Sequence, residues 1–153
     1  MIHVEKALEV NTTVERVWSV LGRFMHIDEF HPRIAKVDAL SAQHTGVGAR
    51  RKCTFKDGTS AVEEVVGWRE GESYTFELSG FTLPLTKAVA TLGVTSLGAD
   101  RARLRMSMDY QVKYGPFGWL LGQTMMRMMM GKVFMVVLNG LRDRVLSGPA
   151  VAR

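Results

Sequence analysis

The residues of this chain with the most chemical potential are Glu63, Arg51, Cys53 and His31. In the run Val62-Glu63-Glu64-Val65, Glu63 shares a strand face with Ala61 and Val65. In the preceding run, Arg51 alternates with Cys53 and Phe55 on a single face. A carboxylate and a guanidinium aimed into apolar surroundings are costly to bury unless they meet each other, water or a ligand. The pattern therefore points to an internal space with a polar anchor. Glu63 can bind a ligand or pair with Arg51 inside the sheet. Arg51 can hold a ligand carboxylate or phenolate, or only neutralise Glu63. Cys53 reads as a small buried residue, because no His–Asp or His–Asn arrangement can be assigned to activate it. Glu63 and His31 are the two catalytic candidates, as acid or base at a cavity. A surface or capping role is the plainer reading of His31.

Several aromatic and flexible side chains fall in register with that interior. Tyr74, Phe76 and Leu78 alternate inward, as do Leu104, Met106, Met108 and Tyr110. The hydroxyls of Tyr74 and Tyr110 require partners when buried, and each could meet a polar ligand group. Ala88, Ala90, Leu92 and Val94 share a face, where small residues leave volume or admit a helix closely. The expected ligand-contacting set is Glu63, Arg51, Cys53, Phe55, Val65, Tyr74, Phe76, Met106, Met108 and Tyr110, with Met126, Met129 and Val133 from the last helix.

The elements that position these residues follow from periodicity. Residues 3–10 read as a strand. Thr12 and Glu15 have capping-box spacing. Val14, Val17, Trp18 and Leu21 mark one face of a short helix that Gly22 ends. A second helical turn covers Met25 to Phe30 and stops at Pro32. Six strands follow, at 34–40, 49–55, 60–68, 73–79, 86–97 and 101–112. Asp57-Gly58 and Gly98-Ala99-Asp100 read as hairpin turns. Tyr114-Gly115-Pro116 opens a long helix, expected to run unbroken from Phe117 to Leu146. Short hairpins imply an antiparallel sheet. A long helix on one face of such a sheet is an α+β layer arrangement. Residues 1–146 are expected to be one domain, with 147–153 a flexible tail.

Six of ten methionines fall between 125 and 135. Methionine fills irregular space and suits surfaces that accept varied apolar shapes. The stripe Gly122, Met126, Met129, Val133, Val136 and Gly140 is expected to face the sheet. Leu120, Phe134 and Leu138 are then expected on the outer side, near Arg127. That outer face predicts a homodimer contact or a peripheral membrane contact.

Composition narrows the classes. At 153 residues, 46% hydrophobic and 23% charged, this is ordinary globular material. One cysteine excludes an internal disulfide and suits a reducing cytoplasm. The N-terminus lacks the apolar run of a signal peptide. Residues 118–138 carry only Arg127 and Lys132 as charges, yet two charges argue against a transmembrane span. The net charge of +5 is dispersed, with no aromatic–basic module, so no nucleic-acid partner is implied. Its clearest cluster is Arg101, Arg103 and Arg105 on the outer face of one strand, read as solvated or as an anionic docking surface. The histidines lack metal spacing, and there is no phosphate-cradling loop and no nucleophile elbow, so no metal or other cofactor is expected.

The helix 14–21 with Val17-Trp18, then Gly22-Arg23-Phe24, Ile27 and Phe30-His31-Pro32, forms a familiar opening. Gly46-Val47-Gly48-Ala49-Arg50-Arg51, Asp57-Gly58, Val62-Glu63, Leu83-Pro84 and the final helix continue it. Over about the whole chain this resembles the polyketide cyclase/dehydrase and lipid-transport family of the START-like (SRPBCC, birch-pollen-allergen-like) superfamily. The resemblance implies a helix-grip fold. A seven-stranded curved antiparallel sheet would wrap around a long C-terminal helix, with two short helices after strand 1 and an apolar cavity between sheet and helix. It places Glu63 where many relatives have an inward carboxylate. The chain departs at Phe30, where many members carry Trp, so an indole N–H is lost there. The implied function is binding or transport of a small hydrophobic ligand such as a lipid, polyketide or aromatic metabolite. The alternative is a cyclase/dehydratase-type enzyme working through a cavity acid or base.

Overall fold

In a computed structural model, which describes residues 1–147, the chain forms one seven-stranded antiparallel sheet gripping a C-terminal helix. Strand β1 spans Ile2–Val10, helix α1 Val14–Leu21, and a 3-10 turn Phe24–Glu29. Strands β2 (Ile34–Ala39), β3 (Arg50–Phe55), β4 (Ser60–Arg69), β5 (Ser73–Ser79), β6 (Leu85–Gly98) and β7 (Arg101–Val112) follow as a meander. The sheet order is β1-β7-β6-β5-β4-β3-β2, so only β1 is placed out of sequence, beside β7. Breaks in register within β4–β5 and β6–β7 mark the irregularities that let the sheet curl. The C-terminal helix comprises α2 (Gly115–Leu121), a π-turn (Gly122–Met126) and α3 (Arg127–Leu146). The antiparallel sheet and its terminal helix are those expected from the hairpin and periodicity signals. The proposed tail, 147–153, lies outside the described residues apart from Ser147.

Local chemistry explains the ends of the elements. Helix α1 is capped by Thr13, whose side chain accepts from the Arg16 N–H at 3.2 Å; the capping residue is therefore Thr13 rather than Thr12. Gly22 closes that helix. Gly140 permits the closest approach of α3 to the turn preceding β2. A Cβ there would stand 2.0 Å from the Phe30 carbonyl oxygen. This pins the lid-like 3-10 segment onto the helix.

The long helix departs from expectation in two linked ways. It is not continuous α, and its buried stripe is not the predicted one. After Met126 the buried residues are Met130, Gly131, Phe134, Val137, Leu138, Leu141 and Val145, while Met129 is exposed and Val133, Val136 and Gly140 are half-buried. Phe134 and Leu138, expected outside, are core. The π-turn bonds i to i+5 and inserts a residue into the repeat. It turns everything downstream by about one residue's rotation, roughly 100°. An unbroken 3.6-residue period therefore selects the wrong face after residue 126. Tyr110 anchors the irregular turn by donating its hydroxyl to the Gly122 carbonyl at 2.6 Å.

Candidate functional site

Arg51 and Glu63 face each other directly across β3 and β4. Arg51 is fully buried, and Glu63 is 7% exposed. The Arg51 Nε donates to Glu63 Oε1 at 2.7 Å, and Nη2 lies 2.5 Å from the same oxygen. Nη1 donates to the Phe24 carbonyl, and the guanidinium carbon sits 3.8 Å from the centre of the Phe24 ring. Burial is the largest influence and disfavours the Arg51 charge, but the Glu63 carboxylate, with smaller contributions from Cys53 and Tyr74, together outweigh it and hold the pKa above its ordinary value. This is a buried pair completed by a backbone acceptor and an aromatic face, the conditions under which such a pair is tolerated. Of the two readings open for Arg51, the geometry shows neutralisation of Glu63. Cys53 is buried beside them, with Sγ 3.6 Å from Glu63 Oε1. Burial and the Glu63 charge push its thiol pKa well up, opposite to what a nucleophile requires.

On one side of this pair the interior is solid. Phe24, Trp18, Trp68, Tyr74 and Phe76 interlock with ring centroids 5.3–6.4 Å apart. The indole N–H groups of Trp18 and Trp68 each donate to Glu70 at 2.9 Å, which fastens α1 to the β4–β5 turn and lowers the Glu70 pKa. The Tyr74 hydroxyl is buried with no hydrogen-bond partner, and burial pushes its pKa up to about 12.

On the other side lies a cavity of about 710 Å³. Its walls are the inner faces of β3–β7, the loop 80–84, the segment 31–34 and one flank of α3. Phe55, Phe76, Met106, Met108, Met129 and Val133 contribute apolar wall, and Ala61 and Ala88 leave the volume. Glu63 and His31 both lie in this wall. Glu63 Oε2 accepts no hydrogen bond among the described residues, because Arg51 and Cys53 engage only Oε1. His31 is 6% exposed. Its Nδ1 accepts from the Arg33 N–H at 3.3 Å, which leaves the proton on Nε2. Burial, then the Arg51 and Arg33 charges, lower its pKa to about 4. The ring is neutral at pH 7. It can offer an N–H to a guest, but it is a weak base.

The remaining expected contacts are elsewhere. Arg51 and Cys53 sit behind Glu63, walled off by it. Tyr74 belongs to the solid aromatic end, where β4 and β5 approach α1, and Val65 is buried outside the cavity lining. The Tyr110 hydroxyl, expected to be available to a ligand, is occupied by the Gly122 carbonyl. Met126 is buried within the irregular turn, because the π-turn carries it away from the cavity flank. Strand parity alone did not reveal Phe81, Leu83 or Met130 as contacts. Leu78 shares the face of Tyr74 and Phe76 and was readable as wall. Phe81 and Leu83 lie in a loop without period, and Met130 is reached only after the π-turn shift. Arg101, Arg103 and Arg105 do lie outward, where Glu9 and Glu5 of β1 pair with them. Among the described residues no group of His, Cys, Asp and Glu could hold a metal ion, and no helix is long and apolar enough to cross a membrane.

Comparison with known proteins places this geometry in context. A family model described as polyketide cyclase / dehydrase and lipid transport matches residues 1–145. No curated protein matches the chain in sequence. A START superfamily protein from Mycobacterium smegmatis superposes with a TM-score of 0.75 at 19% identity, covering 95% of this chain and 97% of the other. Norcoclaurine synthase from Thalictrum flavum, solved with dopamine and hydroxybenzaldehyde, gives a TM-score of 0.75 at 18% identity, with 95% and 87% covered. The two-domain ARO/CYC protein BexL gives 0.79 at 15% identity. There the match covers 97% of this chain and 48% of BexL. At these identities the structural likeness establishes the shared fold.

Proposed function

We propose that this chain, which belongs to the polyketide cyclase / dehydrase and lipid transport family, binds a small hydrophobic molecule bearing a hydroxyl, with the hydroxyl donating to Glu63. The observation that carries this reading is the unused Oε2 of Glu63, set in the otherwise largely apolar wall of a cavity of about 710 Å³. That volume falls in the usual range for small-molecule sites, which combine apolar walls with a few polar groups that set orientation. Burial supplies affinity, at about 25 cal/mol per Å² of apolar surface. Glu63 supplies direction, because a carboxylate paired with Arg51 through Oε1 still accepts a hydrogen bond strongly at Oε2. An apolar guest with a terminal hydroxyl fits both. Polyketides, hydroxylated aromatics and lipid alcohols are the matching classes. The hydroxylated aromatics held by the Thalictrum flavum protein are of this chemistry.

The test is a calorimetric comparison of naphthol with methylnaphthalene, which have similar apolar surface. The expected result is a preference for naphthol on the order of tenfold, as one charge-assisted hydrogen bond gives. Glu63→Gln should shrink that preference while leaving methylnaphthalene binding unchanged. Equal affinity for the two probes in the wild type would remove Glu63 from ligand recognition.

A second reading is catalytic, and one observation favours it: His31 and Glu63 line the same cavity. A carboxylate that accepts a proton and a neutral imidazole that steadies a carbonyl would together suit cyclisation or dehydration of a polyketide-like chain. Turnover that disappears in Glu63→Gln while binding persists would select this reading over simple carriage.

A further inference from the structure

We propose that the outward face of residues 113–132 is a docking surface for an anionic lipid bilayer. The proposal rests on side chains outside the cavity and is independent of what the cavity holds. Tyr114, Phe117, Trp119, Leu120, Met125 and Met128 are each between 55% and 75% exposed. Six large apolar side chains uncovered within fifteen residues form a crest that water solvates poorly.

The charges around this crest share one sign. No Asp or Glu occurs between Asp109 and Asp143. Lys113, Arg127 and Lys132 are exposed, and none pairs with a carboxylate among the described residues. Arg101, Arg103 and Arg105, by contrast, are each held by Glu9 or Glu5. Lys6 adds a fourth cation, unpaired among the described residues, from the edge strand. Its stem crosses Gly131, where a Cβ would meet Cε at 3.0 Å. Lys6, Arg127 and Lys132 rim an open groove of about 620 Å³ between β1 and the helix. The carboxylate in that groove, Glu5, is already engaged by His3 and Arg105.

This combination selects the occupant. Trp and Tyr settle at the headgroup level of a bilayer, Phe, Leu and Met reach deeper, and Lys and Arg meet the phosphates. A second copy of the chain fits less well, because a two-fold contact would press these unpaired cations against their own copies. The surface also adjoins the cavity. The Lys113 N–H donates to the Pro84 carbonyl at 2.9 Å, which ties the start of the helix to the loop carrying Phe81 and Leu83.

The test is co-sedimentation of the full chain with vesicles of equal parts phosphatidylglycerol and phosphatidylcholine, and with phosphatidylcholine alone. The expected result is binding to the anionic vesicles, weakened by salt and at least about tenfold stronger than to the neutral ones. Phe117→Ser/Trp119→Ser and Lys113→Glu/Lys132→Glu should each reduce partitioning on the order of tenfold. All four positions are solvent-facing, so unchanged circular dichroism and naphthol affinity in both variants will show that fold and cavity are intact. No binding to anionic vesicles would overturn the proposal. So would equal binding to both vesicle types, or binding unaltered in both variants. A dimer in light scattering that Phe117→Ser/Trp119→Ser abolishes, without vesicle binding by the wild type, would assign the crest to self-association instead.

Discussion

The two ends of the space between sheet and helix are made of opposite material. Toward α1, five aromatic rings and the guanidinium of Arg51 fill the interior. Toward the loop 80–84, the same sheet meets the same helix through alanines and methionines and leaves about 710 Å³ open. The Arg51–Glu63 pair is the partition, with its guanidinium in the solid end and its carboxylate facing the hollow one. The difference teaches how a small domain can keep a cavity. Rigid, interlocked rings at one end supply the stability that the other end gives up, and flexible side chains at the open end let the wall adapt.

This contrast can be broken most sharply by truncation at each end. Phe24→Ala removes a fully buried ring that packs on Tyr74 and covers Arg51, and should cost about 3–5 kcal/mol in urea denaturation. Met129→Ala, in the open wall, should cost less than about 1 kcal/mol. Similar losses at the two positions would mean that the hollow end is packed as tightly as the solid one.

Next in size is the partition itself. Glu63→Leu strands the Arg51 charge in the interior and should cost about 3 kcal/mol. Arg51→Met combined with Glu63→Leu should recover most of it, because no buried charge then remains. A double variant less stable than the single would show that Arg51 contributes through Phe24 rather than through Glu63.

A further effect belongs to His31 and depends on pH. Its folded pKa of about 4 lies below the unfolded value of about 6.5. The unfolded chain therefore binds the proton first as pH falls. The stabilising contribution is complete above pH ~6.5 and is lost progressively as pH drops toward about 4, on the order of 3 kcal/mol. Urea denaturation of wild type and His31→Gln over this range checks it, and the stability of the wild type relative to the variant should fall as pH drops toward about 4. Parallel curves would place His31 in contact with solvent.

Most of the sheet was legible in the sequence because its signals are local. Asp57-Gly58 and Gly98 mark hairpins, and alternation assigns Arg51, Glu63, Phe76, Met106 and Met108 to the inner face. Alternation does not say where along the inner face the space is empty. Tyr74 and Phe76 share a face and a strand, yet only Phe76 reaches the cavity, since Tyr74 is two residues nearer the ring cluster. The helix was the least legible element. A π-turn leaves no mark in hydrophobic period except a slip of one residue, and that slip exchanged Met129 for Met130 and hid Phe134 and Leu138 in the core. The stretch 118–138, methionine-rich and with only Arg127 and Lys132 as charges, offered no charge pattern that would have exposed the slip.

The central claim is that the hollow end takes up an apolar guest, and titration calorimetry of naphthol into wild type and Leu78→Trp tests it most directly. Leu78 lies in the cavity wall, and an indole there would occupy the space. The expected result is saturable one-site binding with a negative heat-capacity change in the wild type, and loss of binding in Leu78→Trp without loss of stability. Absence of saturable binding in the wild type, or equal affinity in Leu78→Trp, would contradict it.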